Sequence, residues 1–231
     1  MVDDMSLKQL PLTLIVAATP KNGIGQNGAL PWPMLKKEMA YFARVTKRVP
    51  LPVNTRSVQA DGSNGPSNDT TQRNVVIMGR KTWDSIPPKF RPLKDRTNIV
   101  ISSQDRTTLG AIPEDVVVAS DILSGLQALE QGIEHGNSPA VGRAFVIGGA
   151  SIYEAALQLS QTKSVLLTRI HKDYDCDTFF SDGFGSSSSG WKRSNHATLK
   201  SFVGEDVPEE PLTEGKDGEE TSYDFQLYER S

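Results

Sequence analysis

The chain has 231 residues, a formal net charge of −3, a pI near 5.7 and a single cysteine, Cys176. That length suits one domain with insertions and a sizeable core, and the slight acidity speaks against nucleic acid or an anionic membrane surface as partner. One cysteine cannot form an internal disulfide or a thiolate cluster, which suits a reducing compartment.

The first apolar run, 12–18, is too short to span a bilayer, and Asp3 and Asp4 before it are wrong for a signal peptide. Residues 12–19 read instead as a buried strand. Gly23-Ile24-Gly25-Gln26-Asn27-Gly28 matches G-x-G-x-x-G. A dinucleotide-binding turn would open a helix there, whereas Pro31 and Pro33 around Trp32 impose an extended path. The glycines read as a loop that leads to an aromatic anchor and could close over a site. Residues 34–46 (MLKKEMAYFARVT) have helical spacing, with Leu35, Glu38, Phe42 and Val45 on one face, Met39 beside them, and Lys36, Lys37, Ala40 and Arg44 elsewhere. Glu38 is a carboxylate where an apolar side chain belongs, and it needs a partner if it is buried. Either a cation of the chain or a ligand supplies one, or the helix turns Glu38 towards solvent.

Residues 50–73 have no apolar period and many turn formers; Asn68-Asp69-Thr70 has the form of a glycosylation sequon without a secretory signal beside it. A strand at 74–78 ends at Gly79, and Arg80, Lys81 and Thr82 open a helix over 80–86. Free amides, the helix dipole and two cations there fit a phosphate; the plainer alternative is a solvated basic turn. Strands follow at 97–102 and 115–119, then a helix over 121–131 with Asp121 as N-cap and Ile122, Leu126 and Leu129 on one face. A strand at 144–147 runs into Gly148-Gly149 and a helix over 151–159. Paired glycines at that end let a backbone approach a ligand, or simply pack tightly. After a strand at 164–170, residues 191–202 and 222–230 read as two antiparallel strands. Segments 185–190 (GSSSSG) and 203–220, the latter with eight acidic residues and one Lys, read as solvated, mobile insertions.

This alternation predicts an α/β fold: a single domain whose central, mostly parallel twisted sheet of about eight strands ends in an antiparallel hairpin, flanked by about four helices. His135, His171 and His196 are scattered and no cysteine pair exists, so no metal site is expected. There is no G-x-S-x-G elbow and no G-x-x-x-x-G-K-[ST] phosphate loop.

In this order, GIGQNGALPWP (23–33), Glu38 with Phe42, IMGRKTWDSIP (77–87), RPLKDR (91–96), FVIGGASIY (145–153), LTRI (167–170) and DTFF (177–180) closely resemble the dihydrofolate reductases. The likeness covers nearly the whole chain outside the three insertions. It implies NADPH-dependent reduction of 7,8-dihydrofolate to tetrahydrofolate, a one-carbon carrier for thymidylate and purine synthesis. Antifolate inhibitors are further ligands, and the protein is expected to be a cytoplasmic monomer without metal, nucleic-acid or membrane partners. The resemblance implies that Glu38 accepts hydrogen bonds from the pterin N3–H and 2-amino group, with Thr168 supporting the same end. A water is then the expected proton carrier to N5, since Glu38 lies at the other end of the ring; Trp32 stands near that water. Leu30 and the glycine loop close over the nicotinamide. Ile15, Val16, Met39, Phe42, Ile86, Leu93, Ile147 and Tyr153 wall the pocket, and Arg96 takes the α-carboxylate of the glutamate tail. On the cofactor side the resemblance assigns Ala17, through its backbone, together with Ile24, Gly28 and Gly79. Arg80, Lys81, Thr82 and Ser102 would hold phosphates, and Gly148 and Gly149, joined by a cis peptide, would face the cofactor with Ala150, Ser151 and Ile152.

Four residues depart from the family pattern. Ser103 and Ser120 stand where many relatives place basic residues around the adenosine 2′-phosphate, which leaves more of that contact to Arg80. Phe90 replaces a polar side chain near the glutamate tail, and Ala150 replaces a hydroxyl at the pyrophosphate turn. The insertions suggest a eukaryotic relative, with fungi among the candidates. Two other readings stay open: a same-fold pyrimidine reductase of riboflavin synthesis, and a folate- or nucleotide-binding module without turnover.

Overall fold

The computed structural model describes residues 6–50, 72–110, 112–181, 184–185, 189–216 and 218–230. In chain order the elements are β1 (Leu12–Ala18), β2 (Gly23–Gly25), α1 (Lys36–Lys47), β3 (Arg73–Gly79), α2 (Arg80–Ser85), β4 (Arg96–Ile101), β5 (Val117–Ala119) and α3 (Ile122–Glu134). Then come β6 (Val141–Val146), α4 (Ala150–Gln158), β7 (Thr162–Ile170), β8 (Thr178–Phe179), β9 (Lys192–Arg193), α5 (His196–Val203), β10 (Leu212–Glu214) and β11 (Thr221–Glu229). The main sheet runs β10-β11-β7-β1-β6-β3-β4-β5, with short β9 also on β11. Pairings from β7 through β5 are parallel, whereas β11 runs antiparallel to β7, β9 and β10. The predicted class holds, with five α-helices among the described residues in place of about four.

The central strands are apolar on both faces because each face meets a helical layer. Leu14, Val75, Ile77 and Ile99 point to α3 and α4, where Ile122, Leu126, Leu129 and Ala156 cover them. Ile15, Val76, Met78 and Val100 point the other way, to α1, α2 and α5, with Val45, Trp83 and Leu199. The Asp121 cap is as expected: its carboxylate accepts from the Ser124 amide at 2.9 Å, and the Ser124 hydroxyl accepts from the Asp121 amide at 3.2 Å.

α3 passes so close to β4 that a Cβ on Gly125 would lie 2.8 Å from Ile99 Cγ2. Alanine at this position gains up to about 1 kcal/mol of helix preference, but overpacking a filled core costs about 1–3 kcal/mol. Gly125→Ala is therefore expected to lower the urea midpoint at unchanged slope; a raised midpoint would show that Ile99 yields freely.

Two expectations change. Residues 191–202 are not a strand. Only Lys192–Arg193 pair with β11, and the chain then enters α5, where Asn195 accepts from the Thr198 amide at 2.8 Å and Gly204, at φ 69°, ends the helix. The strand that actually joins β11 in the hairpin is β10, inside the acidic segment read as solvated. That segment is tied down: Glu205 pairs with Arg44 at 2.9 Å and Arg48 at 3.0 Å, and Val207 is buried. Most of insertion 50–73, its sequon, and residues 186–188 lie outside the described residues.

Candidate active site

α1 begins two residues later than its spacing suggested, because Leu35 is still extended after Pro33. Glu38 then falls in the first turn and faces the sheet, 8% exposed. Thr168 Oγ1, on β7, donates to its Oε1 at 3.1 Å. No cation among the described residues is ion-paired with it, although both a chain cation and a ligand were conceivable partners. Burial pushes the Glu38 carboxyl up to about 7; the Thr168 hydrogen bond opposes the rise and the charge of Glu214 adds to it. The inner face of α1 also holds Tyr41, which its spacing did not reveal. Tyr41 is buried and stacked on Phe225 with ring centroids 3.8 Å apart.

Trp32 is buried beside Leu35 in the same cluster as Ile15, with Phe42, Ile86, Leu93, Ala17 and Ile147 packed partly buried against it. Its ring meets Tyr174 edge-on at 6.2 Å. Leu30, 52% exposed, and Met39 are open to solvent. Val16 and Tyr153 pack in the opposite cluster. Tyr153 nonetheless reaches the strand between them, its hydroxyl donating to the Ile15 carbonyl at 2.7 Å.

The glycine loop is a strand and a tight turn, with no helix after it. Gln26 and Ala29 exchange both backbone hydrogen bonds, and Asn27 and Gly28 have φ of 51° and 76°, the left-handed pair that a type I′ turn requires. The turn is tied to the 177–180 segment: Asp177 Oδ2 accepts from the Asn27 amide at 2.7 Å, and the Asp177 amide donates to Gly25 at 3.0 Å. β2 and β8 pair at the same place, bringing Ile24 against the sheet cluster.

β3 and β6 are adjacent parallel strands, so their C-terminal glycines meet. The Gly79 amide donates to Gly148 O at 2.7 Å, and the Gly148–Gly149 peptide is cis. α2 and α4 start side by side from Gly79 and Gly149, and no side chain caps either helix. A Cβ on Gly149 would lie 3.4 Å from Thr82 Oγ1, and one on Gly79 only 2.9 Å from Ile152 Cγ1. Arg80, Lys81 and Ser151 are exposed around these starts, with Ala150 half-buried. Arg80 pairs with Asp84 at 3.0 Å. Ser102 caps the Gln104 amide at 3.0 Å, Ser103 is exposed, and the Ser120 hydroxyl donates to Asp121 at 3.1 Å. All of these lie at the C-terminal edge of the parallel strands, where α/β sheets bind ligands.

Arg96 is a buried guanidinium. Its Nε donates to Lys94 O at 3.0 Å and an Nη to Thr46 Oγ1 at 2.8 Å, and burial holds its pKa below the ordinary value. No carboxylate of the described residues forms an ion pair with it. Phe90 is exposed nearby in sequence, on the turn that follows α2.

Asp177, Tyr174 and Glu214 take part in this architecture without having been singled out as site residues. Asp177 sat inside a motif that already signalled the family, and Glu214 lay in a run of acids that resembled a solvated loop. The missing N-cap at Leu35 was the available signal that something outside α1 must serve its first amides.

A profile of the dihydrofolate reductase family matches residues 67–201. The dihydrofolate reductase of Pneumocystis carinii is 40% identical over 225 residues, 96% of this chain and 98% of that protein. That of Cryptococcus neoformans is 39% identical over 227 residues, covering 88% and 90%. Among solved structures, a Schistosoma mansoni dihydrofolate reductase superposes with a TM-score of 0.67 at 30% identity, over 96% of this chain and 99% of that one. With one buried acid against Thr168, glycines paired at the sheet edge and this similarity along its length, the chain belongs to the dihydrofolate reductase family.

Proposed function

We propose that the protein reduces 7,8-dihydrofolate to tetrahydrofolate with NADPH. The observation that carries the reading is Glu38, a buried carboxyl without an ion-paired cation among the described residues, backed by Thr168 in a chain of this family. Two neighbouring helix starts without side-chain caps, two flanking cations and glycines that keep side chains out of the way fit a dinucleotide diphosphate. Arg80, Lys81, Thr82 and Ser102 are the side chains that would hold its phosphates, and the Gly148–Gly149 backbone its nicotinamide end. NADPH, when bound, supplies the hydride for pterin C6.

Glu38 anchors and polarises the pterin. Ionised, it accepts from N3–H and the 2-amino group, two charge-assisted bonds that fix the ring's orientation. Those donors favour the ionised form, so just below pH 7, where the free carboxyl is largely protonated, binding is accompanied by proton release from Glu38. Trp32 and Leu30, on a loop held by Asp177, exclude bulk water while a single water brings the N5 proton. Arg96 takes the glutamate α-carboxylate through the planar fork that a carboxylate fits. Tetrahydrofolate for one-carbon transfer, antifolate binding, and a monomer in the cytoplasm belong to the same proposal.

The test is loss of nicotinamide absorbance on mixing the protein with NADPH and dihydrofolate, repeated with NADH. Turnover with dihydrofolate, and faster with NADPH, is the expected result. A folded protein that turns over only a riboflavin-pathway pyrimidine, or nothing, would remove this reading in favour of the same-fold alternatives.

A further inference from the structure

We propose that Glu214 is a positioning residue for Glu38: from β10 it caps the first turn of α1 and keeps a negative charge beside the Glu38 carboxyl. The proposal rests on Glu38 being the pterin anchor.

α1 has no cap of its own, since Leu35 occupies that position. The Glu214 carboxylate takes its place from outside the helix. The Lys37 amide donates to Oε1 at 3.0 Å and Oε2 at 3.1 Å, and the Lys36 and Glu38 amides face the same group. An anion at this end also complements the helix dipole. The Tyr223 hydroxyl, from neighbouring β11, donates to Oε1 and holds the carboxylate in place. Burial alone would raise the Glu214 carboxyl, but the Tyr223 hydroxyl and the amides outweigh it and keep Glu214 ionised below the ordinary range.

The backbone of Glu38 is thereby tied to β10 while its side chain reaches Thr168 on β7, on the far side of β11. This joins the sheet edge to the site through one helical turn. The groups that bear electrostatically on Glu38 are Thr168 from β7, Glu214 from β10, and the phenols of Tyr41, Tyr153 and Tyr223 from α1, α4 and β11. Burial keeps all three phenols neutral far above neutral pH. Glu214 is therefore the one permanent charge in this set, and it opposes ionisation of Glu38.

The decisive variant is Glu214→Gln, which keeps the shape and removes the charge. Two quantities are read: titration of the Glu38 carboxyl in the apo protein by side-chain carbon NMR, assigned with Glu38→Gln, and KM for each substrate. In Glu214→Gln the Glu38 carboxyl is expected to titrate at lower pH than in the parent, which by itself favours the pterin-binding anion. The unfastened first turn of α1 misplaces that anion and outweighs the gain, so KM for dihydrofolate is expected to rise about fivefold with KM for NADPH unchanged. Loss of thermal stability with an unmoved titration and unmoved KM would make Glu214 a purely structural cap and overturn the proposal. If Glu214→Gln does not fold, Tyr223→Phe leaves the Glu214 charge in place but removes the hydroxyl that fixes it; KM for dihydrofolate is then expected to rise with KM for NADPH unchanged, and an unmoved KM would overturn the positioning role. A parent protein that does not reduce dihydrofolate would end the functional reading instead, while the titration would still report on Glu214.

Discussion

Glu38→Gln is expected to lose about a hundredfold or more in turnover of dihydrofolate while becoming more stable as an apo protein above neutral pH. The loss follows from the bonds that Glu38 makes as an anion. An amide presents an N–H₂ where the pterin needs an acceptor, and breaking a buried charge-assisted pair costs about 2–5 kcal/mol, of which about 3 kcal/mol corresponds to roughly a hundredfold. The gain in stability follows from linkage. The folded carboxyl titrates at about 7 against an ordinary value of 4.5, so the folded state binds the proton more tightly than the unfolded chain. Its contribution to stability is complete below pH 4.5, declines as pH rises, and is gone above about 7, a loss of about 3 kcal/mol. Gln cannot ionise and escapes that loss. The variant should match the parent near pH 4 and exceed it by up to about 3 kcal/mol at pH 8. Denaturant unfolding at the two pH values, set beside turnover, checks both halves. Undiminished turnover would refute the anchoring role, and a parent stability that rises between pH 5 and 7 would refute a buried carboxyl that no cation among the described residues offsets.

The second large effect concerns Arg96. A guanidinium held by the Lys94 carbonyl and Thr46 hydroxyl, without a carboxylate partner among the described residues, is a buried charge prepared for an external anion. Arg96→Lys keeps the charge but gives up the fork. A lysine ammonium cannot reproduce the Thr46 and Lys94 contacts while also making two parallel bonds to a carboxylate. Affinity for dihydrofolate is expected to fall roughly tenfold to a hundredfold, in line with about 1.5–3 kcal/mol for hydrogen bonds to a charged group. A pterin without the glutamate tail should bind both proteins alike. Calorimetric titration with the two ligands separates the cases, and equal losses for both would mean that Arg96 shapes the pocket without gripping the tail.

Much of this arrangement could be read before any coordinates. Runs such as VVIM (75–78) and IVI (99–101) are apolar on every residue because they lie between helical layers, and that pattern is local. The Asp121 cap is local too, and so was the failure of the glycine segment to start a helix, since two prolines follow it. α5 was misread although its signals were present: Asn195 ahead of Leu199 and Val203, with Gly204 behind, is a capped amphipathic turn.

Glu38 marks the boundary between the two kinds of knowledge. Its own sequence neighbours were enough to show that a carboxylate faced the core and needed a partner. What surrounds it could not be seen there, because Thr168 lies 130 positions away and Glu214 arrives from a run of acids that looked fit only for solvent. Helical spacing is a property of a few adjacent residues. A cap supplied across the sheet edge, like a guanidinium left without an anion, exists only once distant segments have been folded against one another.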